Sequence, residues 1–206
     1  MNKVVIASNN PGKLRELEQM LAPLGIEAVP QSDFAVPEAE EPHDTFVENA
    51  LAKARHAANI TGLPALADDS GLCVPALFGE PGVHSAHYAG TGGSREERDA
   101  RNNAKLVEQL RPARDRAAFY YCVLVLVRTP HDPTPLIADG EWHGEIVLEP
   151  RGTHGFGYDP HFLTVFGKTA AEMPSEAKNR VSHRARALAA LVAKLKPGGA
   201  DPSPRP

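Results

Sequence analysis

The sequence predicts an α/β protein with a mixed central sheet flanked by helices, and three observations carry that expectation. Strand-like segments alternate with segments of helical apolar period in the first half of the chain; later strand-like segments follow one another with no helix between them; and Phe119 to Val127 is almost continuously apolar, as a strand covered on both faces must be. Neighbouring strands combined with βα units favour a mixed sheet over a purely parallel, doubly wound one.

The first unit opens with the β-branched run Val4 to Ala7. Asn10 then offers an N-cap and Pro11 suits the first helical position, while Leu14, Leu17, Leu21 and Leu24 recur on one face until Gly25 ends the element. Residues 30 to 44 are rich in Pro, Glu and Asp without periodicity, which predicts a loop bearing Glu38, Glu40 and Glu41. Thr45 and Glu48 have capping-box spacing, and an Ala-rich helix follows to Ile60, closed by Gly62 and Pro64. Ala65-Leu66-Ala67 reads as a buried strand that delivers Asp68-Asp69-Ser70-Gly71 at its end.

Ser94 and Glu97 predict a second capping box, with a helix running through Leu106 and Leu110 as far as Pro112. After the long apolar strand, Leu136 to Ala138 and Glu145 to Leu148 predict two further strands around Gly140 and Gly144, and Ser175 to Lys196 predicts one amphipathic helix. Residues 1–196 are expected to form a single domain. Pro197 to Pro206 is almost all Pro, Gly, Ser and charge, a composition that cannot bury enough apolar surface to offset its ordering entropy, so a disordered tail is expected.

With 22 basic and 26 acidic residues, formally −4, the chain lacks the positive field that drives non-specific binding to nucleic acid. The two cysteines, Cys73 and Cys122, sit in separate apolar runs and suit free thiols in a reducing compartment, which points to the cytoplasm. No apolar stretch has the length of a signal sequence or a membrane span, so no membrane partner is expected.

Four segments carry candidate chemistry. Ser8-Asn9-Asn10-Pro11-Gly12-Lys13 joins a strand to a helix N-terminus, where free N–H groups, the helix dipole and Lys13 favour a phosphate; an ordinary capped turn is the alternative. Glu40 or Glu41 together with Asp68 and Asp69 could supply the sparse carboxylates that a hard divalent cation takes, against the alternative of a solvated acidic loop. Gly152 to Pro160 combines glycines with Phe156 and Tyr158, as a pocket for a planar base would, or as a tight turn packed by core aromatics would. Lys178, Ser182, His183 and Arg184 place donors on one stretch of the last helix, where they could read a base carbonyl or form a solvated positive face. Lys53 lies one turn after Asn49 on the second helix and points to the phosphates if that helix lines a cleft.

With these segments in view, the chain resembles the house-cleaning inosine and xanthosine triphosphate pyrophosphatase family, particularly its bacterial members. The motifs are SNNPGK at 8–13, TFVENALAKA at 45–54, ADDSGL at 67–72, PGVHSAHYAG at 81–90, GFGYDP at 155–160 and SHRARAL at 182–188. The resemblance implies two lobes around a central substrate cleft, a homodimer, and Mg2+-dependent cleavage of ITP, dITP and XTP to the monophosphate and pyrophosphate. It implies that Ser8 to Lys13 cradle the triphosphate, that Asp69 prepares water, that Ser70 touches substrate, and that Glu40 and Asp69 hold the metal. Phe156, Gly157, Tyr158 and Asp159 are implied as the base-side wall, with Lys178, His183 and Arg184 contacting the base. A septum-formation-inhibitor-like pyrophosphatase with another base preference and a non-catalytic nucleotide sensor are the competing readings.

Overall fold

The computed structural model describes residues 2–195; the tail expected to be disordered lies outside the described residues. Six strands form one sheet: β1 (Lys3–Ile6), β2 (Glu27–Pro30), β3 (Ala65–Cys73), β4 (Ala117–Val127), β5 (Leu136–Ile146) and β6 (Phe162–Thr164). Their spatial order is β2-β1-β3-β4-β5-β6. β1 runs parallel to β2 and β3, while β3 to β6 pair antiparallel in succession, so the sheet is mixed as expected. Five α-helices surround it: α1 (Pro11–Leu21), α2 (Phe46–Thr61), α3 (Arg95–Leu110), α4 (Ser175–Val181) and α5 (His183–Leu195).

The long β4 carries two cores along a single face. Ala118 and Tyr120 join Trp142, Ile146, Phe162, Leu106 and Leu110 in one cluster, whereas Cys122, Leu124 and Leu126 join Leu17, Leu21, Leu188 and Leu191 in another. The strand period of two puts all five β4 residues on the same side, so one strand holds two lobes together and the cleft opens where the clusters meet. The opposite face is covered by α2, whose Ala50, Ala54, Ala57 and Ala58 are fully buried against Val123, Val125 and Val127. Four alanines in one helical stripe leave no bulk between helix and sheet, so α2 packs close and brings Lys53 with it.

The local signals acted largely as expected. The Asn10 side chain accepts from the N–H groups of Gly12 and Lys13 at the start of α1, and Ser94 with Glu97 completes a reciprocal capping box on α3. At α2 the Thr45 hydroxyl accepts from Glu48 N, but the Glu48 carboxylate turns to the Thr45 hydroxyl instead of its backbone N–H, so that box is half made. Gly62 ends α2 at φ 67, the left-handed cap that a Cβ disfavours.

Five expectations need correction. Asp68 and Asp69 lie in the middle of a nine-residue strand, not at its end, because β4 pairs with β3 all the way to Cys73. Leu136 to Ile146 is one strand through Gly140 and Gly144, held continuous by its ladder with β4. Leu24 is in a short 3-10 turn and 43% exposed, so the apolar face of α1 ends at Leu21. The expected loop at 30–44 begins with the end of β2 and a 3-10 turn at Gln31–Phe34. The last helix breaks at Ser182, whose ψ of 164 ends α4 before α5 begins.

That break is set against the sheet at Gly140. A Cβ there would stand 2.5 Å from both His183 O and Ala187 N, so only glycine lets α5 approach β5 this closely. The contact fixes the position of His183 and Arg184 at the seam between the two lobes.

Candidate active site

The pleat of β3 sends consecutive carboxylates to opposite faces of the sheet. Asp68 turns towards α1 and α5, where it is completely buried. Its Oδ1 accepts from Lys13 Nζ at 2.6 Å and Ser70 Oγ at 3.0 Å. Its Oδ2 accepts from Arg184 Nε at 2.7 Å and from the Cys122 thiol at 3.0 Å. Burial opposes ionisation, but Arg184 and Lys13 outweigh it and hold the Asp68 carboxyl well below the usual carboxylate range. Arg184 is equally buried and is shared with Glu16 and with Ser70 Oγ, the latter at 3.0 Å.

Asp69 turns towards α2. Its Oδ1 accepts from Lys53 Nζ at 2.7 Å, and Lys53 also donates to Glu41 at 2.9 Å. Its Oδ2 is buried and has no hydrogen-bond partner. Burial here exceeds the opposing pull of Lys53 and Lys13, so the Asp69 carboxyl is raised above its ordinary value. A buried carboxylate with one unsatisfied oxygen and an upward-shifted pKa is suited to take a proton or to meet a cation.

The base side is built from the loop after Gly155. Asp159 accepts from Tyr120 OH at 3.1 Å, from Phe156 N at 3.0 Å and from Lys178 Nζ at 2.6 Å. Lys178 also meets Glu16 at 3.2 Å, and these carboxylates keep its pKa raised against the opposing effect of burial. Tyr158 lines the cleft, but its ring is buried and its hydroxyl donates to Ser85 O at 2.8 Å. Phe156 packs over the start of α1, so closely that a Cβ on Gly12 would come within 2.6 Å of the ring. His183 stacks on Tyr120 with centroids 4.7 Å apart; its Nδ1 is buried and unpartnered, and burial with Arg184 and Lys178 nearby pushes its pKa well below the ordinary value. The ring is therefore neutral at physiological pH.

The phosphate segment differs from the expectation in one respect. Gly12 N and Lys13 N already donate to Asn10 Oδ1, at 2.9 and 3.2 Å, so the first turn of α1 satisfies its own donors. Ser8 Oγ in turn accepts from Asn10 N, and Asn9 Oδ1 from Gln31, leaving the loop preformed.

These groups surround a cleft of about 610 Å³ lined by Ser8 to Pro11, Lys13, Lys53, Asp69, Ser70, the Phe156–Asp159 loop, Lys178, His183 and Arg184. The volume suits a small-molecule ligand. Of the acidic loop, Glu38 and Glu41 line the cleft, while Glu40 is exposed and does not. The structure thus brings Glu41, through Lys53, beside Asp69 and leaves Glu40 outside. Asp68 serves as the buried partner of Lys13 and Arg184 and has no exposure to the cleft. Sequence reasoning predicted α3 but gave it no part in the site: Asp99 accepts from Gly157 N and Asn103 donates to Gly157 O, each at 2.9 Å, so this helix holds the base-side loop. The spacing of Asp99 and Asn103, one turn apart on a capped helix, is a signal that could have marked a common face, but not what the face touches. A second hollow, of about 500 Å³, lies between Arg55–Asn59 and Pro130–Pro133; Asp132, its carboxylate, is already bound by Arg128 and by two backbone N–H groups.

Among the described residues no group of three or more His, Cys, Asp or Glu could hold a metal by itself. Asp69 Oδ2, unpartnered beside Glu41, nevertheless fits a hard cation that takes one or two protein carboxylates and completes its shell with ligand oxygens and water.

A mixed sheet carrying two lobes, with cations, a raised carboxyl and a glycine–aromatic loop converging between them, defines a protein that binds and processes a phosphorylated small molecule. The sequence model of the Ham1 family matches residues 4–194, and the chain belongs to that family. It is 65% identical over 195 residues to the dITP/XTP pyrophosphatase of Burkholderia pseudomallei, covering 94% of this chain and 93% of the relative. The dITP/XTP pyrophosphatase of Nitrosomonas europaea is 64% identical, with 95% of each chain covered. The solved structure of a HAM1 protein from Coxiella burnetii superposes with a TM-score of 0.86 at 48% identity, over 95% of this chain and 98% of that one.

Proposed function

We propose that this chain hydrolyses the non-canonical purine nucleoside triphosphates ITP, dITP and XTP to the monophosphate and pyrophosphate, removing them from the nucleotide pool. The observation that carries the reading is Asp69, a carboxylate of raised pKa that lines the cleft beside Lys53 and whose Oδ2 is buried without a hydrogen-bond partner. The full-length likeness to dITP/XTP pyrophosphatases supports the substrate class.

In the proposed reaction Asp69 Oδ2 accepts a proton from water as the water oxygen bonds to the α-phosphorus, and the bond from that phosphorus to the pyrophosphate oxygen breaks. Lys53 holds Asp69 through Oδ1, which keeps Oδ2 aimed at the water. Lys13, anchored on Asp68, lies within the same cleft and offsets negative charge on the leaving pyrophosphate. Glu41, beside Asp69, is the carboxylate that would hold Mg2+, which when bound supplies charge neutralisation on the phosphate chain. On the base side, Lys178 and Arg184 are committed to carboxylates, whereas His183, which lines the cleft with them, keeps an unpartnered Nδ1. As the Nδ1–H tautomer it donates to a 6-keto oxygen and meets a 6-amino group donor to donor, which disfavours adenine.

The enzyme is proposed to act in the cytoplasm as a homodimer, with a nucleotide and not a nucleic acid as its ligand. Both cysteines are free and buried, no helix among the described residues is long and apolar enough to cross a membrane, and the net charge is −4. The test is product analysis with ITP and ATP in magnesium. IMP plus pyrophosphate, with ATP largely spared, is the expected result; IDP plus phosphate, or tight binding without turnover, would overturn it.

A further inference from the structure

The basic groups in the cleft are not equally available. Lys13 is paired with Asp68 at 2.6 Å, Lys53 with Asp69 at 2.7 Å, Lys178 with Asp159 at 2.6 Å and Arg184 with Asp68 at 2.7 Å. A nucleoside triphosphate brings several negative charges, and each of these cations must be shared with a carboxylate to meet them.

Two arginines of α3 stand apart from this set: Arg98, whose Nη1 donates to Gly93 O at 2.8 Å, and Arg95, in the first turn, which reaches the phosphate segment. Arg95 is the one placed to meet a phosphate. It lines the cleft and is 27% exposed in its side chain; its nearest carboxylate, Asp99, is 3.9 Å from Nε and already accepts from Gly157 N. Its close polar contact is to a neutral group: Nη1 donates to Asn10 Oδ1 at 2.8 Å. The guanidinium also lies 4.8 Å from the centroid of the Phe156 ring. The side chain therefore bridges the two lobes at the mouth of the cleft, from the helix that steadies the base-side loop to the cap of the phosphate segment.

We propose that Arg95 is a substrate-binding residue of the triphosphate site, exchanging its contact with Asn10 for a phosphate oxygen of the nucleotide. The inference rests on the nucleotide reading of the cleft and goes beyond it by naming a residue outside the expected phosphate segment. A guanidinium binds an anionic oxygen more strongly than an amide oxygen, because the contact becomes charge-assisted and can be bidentate. The amide oxygen that it leaves is not orphaned, since Asn10 Oδ1 keeps the N–H groups of Gly12 and Lys13. Phe156 steadies the guanidinium by a cation–π contact while it turns.

The test uses the full chain, with Arg95→Ala, Arg95→Gln and Arg95→Lys compared with the unaltered protein. Two probes divide the ligand: tripolyphosphate for the phosphate end and inosine for the base end, both titrated calorimetrically so that binding is read without turnover. Arg95→Ala and Arg95→Gln are expected to weaken tripolyphosphate about tenfold, to raise KM for ITP by a similar factor with kcat within about twofold, and to leave inosine unchanged. Arg95→Lys should recover part of the loss. Unchanged tripolyphosphate binding overturns the proposal, as does a parallel loss of inosine, which would make Arg95 a prop for Phe156. Failure of the unaltered protein to release pyrophosphate from ITP would defeat the functional reading instead, and the tripolyphosphate titration would still decide the role of Arg95.

Discussion

Asp68 and Asp69 are one position apart on β3, and the pleat gives them different surroundings. Asp68 meets Lys13, Arg184, Ser70 and Cys122, has both oxygens satisfied, and is held well below its ordinary pKa. Asp69 meets Lys53 alone through one oxygen, keeps the other free, and is raised. Two identical side chains are thereby divided between structure and chemistry. The number and placement of facing cations decides which is which, because burial acts on both in the same direction.

Substitution should separate the two carboxylates most strongly. Asp69→Asn should lower kcat by about 10²–10⁴-fold, the usual contribution of a general base, with a smaller loss of stability than at Asp68, because Lys53 keeps Glu41 and an amide oxygen still accepts from it. Steady-state pyrophosphate release and a thermal melt measure both; a variant that turns over normally would remove Asp69 from the mechanism. Asp68→Ala should act the other way round, costing about 3–5 kcal/mol of stability by leaving the buried Arg184 with Glu16 alone and the half-buried Lys13 without its carboxylate. Urea unfolding checks it, and a change below about 1 kcal/mol, the scale of a surface pair, would show that Asp68 does not anchor these two cations.

Gly140→Ala is a smaller perturbation of the same site, since it pushes α5 and with it Arg184 away from Asp68. The added methyl meets α5 backbone at 2.5 Å and should destabilise by about 1–3 kcal/mol. KM for ITP should rise as well, whereas an unchanged melt would show that α5 shifts without cost.

The two carboxylates also separate with pH. Asp69 is raised above 3.8, so the acid limb of kcat/KM should fall above that value as the base becomes protonated. Asp68 is depressed, so the stability it contributes is present above 3.8 and is lost as pH falls through its lower folded value. Activity should therefore be lost at a higher pH than the Asp68 contribution to stability. His183 gives the smallest effect: its folded pKa lies well below 6.5, so its contribution to stability is full above 6.5 and declines as pH falls below it. Replacement by Asn should flatten the melting temperature between pH 5 and 6.5; an unaltered slope would mean that the ring is protonated in the fold.

Much of this architecture was legible in the sequence. The caps at Asn10 and Ser94, the alanine stripe of α2, the apolar β4 and the mixed sheet follow from period and capping chemistry, which act over a few residues. The segments of the site were legible too, because SNNPGK, ADDSGL, GFGYDP and SHRARAL carry its residues in short runs. What those residues do to one another was not. Lys13 and Lys178 read equally well as solvated charges until Asp68 and Asp159 are seen beside them. Likewise, two adjacent aspartates at a strand end look alike, and only a strand that continues to Cys73 turns them to opposite faces.

The elements, the order in which they occur and the residue types available to the cleft follow from the amino-acid sequence. The polar partners follow only from the packing of remote segments: Arg184 reaches Asp68 across 116 positions and Arg95 reaches Asn10 across 85. Helix and strand periods describe neighbours a few residues apart, whereas a Coulomb interaction depends on distance and desolvation, both of which are set only when the sheet brings remote segments together.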